Sequence, residues 1–136
     1  MEKRIFEICV SSSIENVGDG TETTESRANA EMVSDGHATF IRYSESGEGG
    51  EVSTVVKISA DAVTVTRHGA LESVLVFREG ESTDSIYSVG PYRFDATVKT
   101  RRIRNALTPD GGSLTLYYDM TVGGAEKSVR MKLTLA

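Results

Sequence analysis

The chain has 136 residues, a formal net charge of −5, 38% hydrophobic and 26% charged residues, and one cysteine. That length reads as a single domain over residues 1–136 that can bury a core unaided, and a lone Cys9 excludes an intrachain disulfide and a cysteine metal cluster. Residues 1–51 hold 11 acidic and 4 basic side chains, which argues against general nucleic-acid binding while leaving room for a local basic site.

The first segment, 1-MEKRIFEICVSSSIE-15, has basic residues but no apolar run behind them, because Glu7 interrupts it and Ser11 to Ser13 close it. A signal peptide needs roughly 7–15 apolar residues there, and no stretch approaches the ~20 of a membrane span. The expectation is a soluble, cytoplasmic protein with no membrane partner. Strands are predicted at 3–12, 22–34, 37–45, 52–59, 62–68, 71–79, 82–89 and 91–104, from β-branched and aromatic content and period-two alternation. The best helical candidate, 14-IENVGDG-20, is too short and too rich in Gly to form one.

Two more strands close the chain with the clearest alternation. In 114-LTLYYDMTV-122, Leu114, Leu116, Tyr118, Met120 and Val122 share one face. In 127-KSVRMKLTL-135, Val129, Met131, Leu133 and Leu135 do the same. Such spacing gives a strand one buried and one wet face. The connections carry turn chemistry: Asp35-Gly36, Asp110-Gly111-Gly112 and Gly123-Gly124 tolerate positive φ, and Gly47, Gly49 and Gly50 mark a looser acidic loop. About ten strands on short turns predict an all-β hairpin meander. Closure into a single antiparallel barrel removes its edges; a two-sheet sandwich is the alternative.

The stretches 50-GEVSTVVKIS-59, 77-FREGESTDSIYSVGPYRFDATVKT-100 and 111-GGSLTLYYDMTV-122 resemble the YwiB-like family of small bacterial proteins of unknown function. The resemblance covers residues 50–135 and implies a calycin-type, lipocalin-like β-barrel of about eight to ten strands. It also implies small-molecule binding by analogy with other calycins, and no catalytic residues. The sequence departs from the family pattern at Arg93, where a Gly is usual.

The residues themselves give little chemistry. His37 and His68 sit at strand ends beside Gly, no Gly-x-Ser-x-Gly elbow exists, and Cys9 lies in a period-two strand. Two histidines on separate strands do not make a zinc site, and 45-ESGEGGE-51 lacks the spacing of a calcium loop. The Gly47–Gly50 run has no Lys-Ser/Thr and opens no helix, so it is not a phosphate loop. The first strand also lacks the Glu-x-Glu-x-Lys that triphosphate tunnel enzymes carry in theirs. The expectation is a protein with no cofactor, no metal and no enzymatic activity.

The remaining feature is 98-VKTRRIRNAL-107, which places four of the fifteen Lys and Arg within six positions. If 92–104 is one strand, Tyr92, Phe94, Ala96 and Val98 share an interior face, and the same parity puts Thr100, Arg102 and Arg104 there. Lys99 and Arg101 then face solvent. An interior arginine keeps its charge and must meet an anion or water. Arg102 and Arg104 at the barrel mouth, with hydroxyls from Tyr118 and Thr54, would grip the acid group of a small amphiphilic or anionic ligand whose apolar part lies below. A strand ending near Thr100, or a bulge there, would instead reset the parity and leave both arginines in solvent. The alternative function is a protein-interaction module that uses its surface. Nucleic acid is not the expected partner, because no aromatic alternates with these bases on one face. Monomer and homodimer are both open.

Overall fold

Side chains two apart on an extended backbone point the same way, so alternating segments leave water only by joining into sheet. The structure, a computed structural model, describes residues 3–16, 18, 20–47 and 49–136. Ten strands follow in order: β1 (Lys3–Asn16), β2 (Gly20–Ser34), β3 (Thr39–Gly47), β4 (Gly50–Ile58), β5 (Val63–Gly69), β6 (Leu71–Phe77), β7 (Ser82–Val89), β8 (Tyr92–Thr108), β9 (Gly111–Val122) and β10 (Ala125–Leu135). Each pairs antiparallel with the next, and β1 pairs with β10, which closes the barrel. The ten expected strands are all present, and closure replaces the sandwich alternative.

The helical candidate at 14–20 is not helical where it is described. Residues 14–16 end β1 and Gly20 begins β2, while residues 17 and 19 lie outside the described residues. So does Glu48 of the acidic loop. Gly123 and Gly124 both have positive φ and form the two-residue turn between Val122 and Ala125, as tight hairpins require. The β8–β9 turn is instead Pro109–Asp110, and Gly111 and Gly112 belong to β9. Gly112 has φ +118, and a Cβ there would overlap the Ala106 carbonyl oxygen.

Inside, the waist of the barrel is packed. Ile8, Ile41, Val56, Val65, Phe77, Val98, Leu114, Leu116 and Leu133 are fully buried there. One irregularity decides how the basic run is oriented. In the β8–β9 ladder Thr100 pairs with Tyr118 but Arg102 pairs with Tyr117, so Arg101 is an extra residue in a β-bulge. Ala96, Val98 and Thr100 face inward before it, and Ile103 and Leu107 pack on the core after it. Arg102 and Arg104 are exposed on the outer face. Their interior placement is therefore corrected: the bulge shifts the parity by one residue, and Ile103 takes the inward direction that unbroken alternation gives to Arg102 and Arg104.

Candidate functional site

The inward residue of each strand lies beside an inward residue of its neighbour, so register alone assembles rows across the wall. One row crosses six strands. Tyr43 pairs with Thr54, Thr54 with Arg67, Arg67 with Ser73, Ser73 with Tyr87, and Tyr87 with Phe94. An arginine thus stands inside the barrel with a hydroxyl on each adjacent strand, about 4.8 Å away by strand spacing, and a tyrosine one strand further on each side. Val63 and Val65 are buried on the same face of β5, which fixes the inward direction of Arg67.

Arg67 and Tyr118 line a cavity of about 410 Å3 at the end of the barrel formed by the β1–β2, β3–β4 and β9–β10 hairpins. Thr54, Tyr87 and Glu45 share its lining with apolar side chains including Val52, Leu71, Met120 and Val129. Ser26 donates to the Glu45 carboxylate at 2.8 Å, which occupies that acid at the rim. The partner found for the Arg67 guanidinium is the Met131 sulfur, at 3.8 Å, a weak acceptor. Among the described residues no carboxylate forms an ion pair with Arg67. Two buried hydroxyls nearby also lack partners: Ser73 Oγ, beside Arg67, and Thr100 Oγ1, beside Tyr118. Each such group costs about 1–3 kcal/mol when left unsatisfied.

The tyrosines report the same environment. Burial pushes the Tyr118 phenol up to about 12 against the pull of the Arg67 charge, and its ring packs edge-on against Phe77 at 4.7 Å. Burial also raises Tyr43, opposed by Arg67 and the Thr54 hydroxyl. Both phenols are therefore neutral donors at physiological pH. The wall beside Arg67 is thin. β6 and β7 pair only at Leu71, Glu72 and Ser73; beyond that the Ser85 and Thr83 hydroxyls donate to the Val74 and Val76 carbonyls in place of backbone amides. An outer cleft of about 950 Å3 at this parting is also lined by Arg67 and Ser73.

The opposite end differs. A cavity of about 400 Å3 there is lined by Met32, Ile58 and Leu107, and Arg4 reaches across it to the Pro109 carbonyl at 3.1 Å and Asp110 Oδ1 at 2.7 Å. That arginine is occupied by the β8–β9 turn.

With this geometry in place, the chain can be set beside known proteins. A family model described as a domain of unknown function (DUF1934) matches residues 8–135. The chain belongs to that family. It is similar to the uncharacterised β-barrel protein YwiB of Bacillus subtilis (strain 168), 31% identical over 88 residues, which is 65% of this chain and 62% of that protein. The matched stretch thus spans less than two thirds of that relative's length. A crystal structure of the YwiB protein from Bacillus subtilis superposes with a TM-score of 0.86 at 27% identity, covering 98% of this chain and 93% of that one. The resemblance expected from the sequence is therefore correct, and the family carries no stated activity.

Of the four expected site residues, Thr54 and Tyr118 face the interior cavity, while Arg102 and Arg104 lie outside it. The cation that sequence reasoning missed is Arg67. Its signal was present: in 63-VTVTRHG-69, Val63, Val65 and Arg67 share one parity with no bulge between them. His37 and His68 are exposed, and His68 pairs with Glu72. Among the described residues no helix is long and apolar enough to cross a membrane.

Proposed function

We propose that the barrel binds a small amphiphilic organic anion in the cavity above Arg67, with the acid group held by the guanidinium. The observation that carries this is the row Thr54–Arg67–Ser73, an inward arginine between two hydroxyls that, among the described residues, has no carboxylate within ion-pair distance. A half-buried guanidinium stays charged, so it needs an anion or water, and a planar carboxylate or phosphate matches its fork. Thr54 and Tyr118 supply further hydroxyl donors in the same cavity, and Ser73 stands beside Arg67 in the row. A volume of about 410 Å3 lies in the lower range of ligand pockets, roughly 300–1,000 Å3.

The orientation is the reverse of the one expected from sequence. Arg67 sits one layer below Val52 and Leu71, so the acid enters first and the apolar part rests against Val52, Leu71, Met120 and Val129 toward the mouth. Nothing in the row is a paired nucleophile and base, so the reading is binding without catalysis.

The test is a thermal-shift and native mass-spectrometry screen with medium-chain fatty acids, aromatic carboxylates and phosphorylated metabolites, on the wild type and on Arg67→Met. A ligand at a hundred times its Kd stabilises by about 2.7 kcal/mol, a shift of several degrees. The wild type is expected to gain this with one class and Arg67→Met to lose it. Stabilisation of neither protein by any anion, or of both equally, removes the reading.

A further inference from the structure

The outer wall gathers what the sequence scatters. Across β8, β9 and β10, Arg102 faces Tyr117 and Tyr117 faces Arg130. The next row is Arg104, Thr115 and Lys132; the row on the other side is Lys99, Asp119 and Ser128, with Arg101 in the bulge. Six of the fifteen Lys and Arg thus share one surface. Asp119 is the sole carboxylate within these rows, and it is taken: Arg101 donates to it from two nitrogens at 2.8 and 2.7 Å, and Ser128 at 2.7 Å. Among the described residues Arg102, Arg104, Arg130 and Lys132 have no ion-pair partner. On β1 the patch continues into the hydroxyls Ser13 and Ser11, opposite Arg130 and Lys132. Glu15 stands opposite Ser128 at the border of the patch, and Glu25, one strand further on β2, is held by Arg27.

Like charges at alternate positions of one strand stand about 7 Å apart, and those on β8 and β10 face each other across β9 at roughly 10 Å, close enough to repel at low salt. A chain with net charge −5 has carboxylates enough to pair all six, yet among the described residues Arg101 is the one on this face with an ion-pair partner. The unpaired cations are mostly arginine, whose fork suits phosphate oxygens better than the point charge of lysine. The centre of the patch is aromatic: the Arg130 guanidinium lies over the Tyr117 ring, 5.8 Å from its centroid. Sequence order hides this arrangement, because Tyr117 comes from β9 while its flanking arginines come from β8 and β10. An acidic peptide would use the cations but not the ring. A convex wall accepts a draped single strand more readily than a duplex, and nucleobases stack on such a ring without regard to sequence.

We infer that the outer face of β8–β10 binds single-stranded nucleic acid, with phosphates on Arg102, Arg104, Arg130 and Lys132 and a base on Tyr117. This surface is separate from the interior row, so it stands or falls independently of the anion in the cavity.

The experiment is fluorescence anisotropy with labelled oligo-rU and oligo-dT of roughly 15 nucleotides, within the span single-strand binders cover. Binding should weaken with salt, with a log–log slope near −3 for four phosphate contacts at about −0.7 each. Arg102→Glu with Arg130→Glu should lower affinity at least tenfold and flatten the slope. Tyr117→Ala should lower affinity several-fold with the slope unchanged, and Tyr117→Phe should restore it. Arg67→Met, inside the barrel, and Arg42→Glu, outside on β3, should have no effect. The two oligonucleotides differ in sugar and in the base methyl, and salt-dependent binding of either supports the inference. Absence of binding to both at low salt overturns it, as does full binding by the double variant. If poly-glutamate competes as well as the oligonucleotides and Tyr117→Ala is silent, the surface belongs to an acidic protein partner and the inference is equally overturned.

Discussion

Replacing Tyr118 by Phe isolates the electrostatics of the cavity floor. The Tyr118 phenol titrates at about 12 in the folded barrel, against about 10 in the unfolded chain, because burial disfavours the phenolate. A raised folded pKa leaves stability intact below about pH 10 and removes it as pH climbs toward the folded value. Two units at 1.36 kcal/mol each give a full loss of about 2.7 kcal/mol, half of it, about 1.4 kcal/mol, by pH 11. Phe keeps the ring against Phe77 and lacks the ionising group. The assay is urea unfolding at about pH 9 and pH 11, alongside tyrosinate absorbance, which is clean because the chain has five Tyr and no Trp. The wild type should lose about 1.4 kcal/mol more than Tyr118→Phe over that interval, and one late-titrating tyrosine should vanish from the variant. Arg67→Met should delay the Tyr118 titration further, since the cation is what opposes burial. The reasoning is refuted if all five tyrosines titrate in one step near pH 10, or if the two proteins lose stability equally.

Three further outcomes follow from the wall. Gly112→Ala should cost at least about 2 kcal/mol by urea midpoint, since positive φ alone costs about 1–3 kcal/mol and its Cβ meets the Ala106 carbonyl. Gly124→Ala, with open space around it, should cost only the conformational part. Deleting Arg101 should leave a folded, soluble barrel with Ile103 and Leu107 still inward, because the bulge residue is the one the ladder omits; a variant that aggregates or loses most of its cooperativity contradicts that. Burial pushes the Asp119 carboxyl up, but Ser128 and Arg101 outweigh it and hold it below the usual range. A depressed folded pKa contributes stability above about pH 4 that fades as pH falls through the folded value. Asp119→Asn should therefore cost about 1–2 kcal/mol near neutral pH and much less at about pH 2, measured by thermal unfolding.

The strands were legible because period-two alternation is local, and so was the family, through Gly-Gly-x-Leu-x-Leu-x-Tyr-Asp at 111–119. Thr54 and Tyr118 have the faces that parity gives them, since no irregularity on their own strands lies between them and the core residues that define it. Arg102 and Arg104 were not, because a bulge is a property of two paired strands. Arg101 becomes surplus only when Tyr118 and Tyr117 are set opposite β8. Arg67 was legible by parity but inconspicuous, a single base beside a histidine, whereas the dense run at 99–104 drew attention to itself. The Tyr117–Arg130 stack and the Thr54–Arg67–Ser73 row both depend on register between strands, which spacing along one strand does not encode.

The ladder between β1 and β10 differs from the other nine in one respect. Those nine join neighbours along the chain and can zip from their own turns, while this one brings Ile8 to Leu135 and Ile14 to Val129. Loop-closure entropy rises only as the logarithm of loop length, yet it must be met before any contact across the seam forms. Until then the nascent sheet is a nine-seamed ribbon with two bare edges, each able to template a second chain. The seam also carries part of the cavity lining, through Val10 and Ser12 on one side and Val129 and Met131 on the other. A molecule seated above Arg67, as proposed, would act as a clasp on the ladder that joins the two ends of the chain.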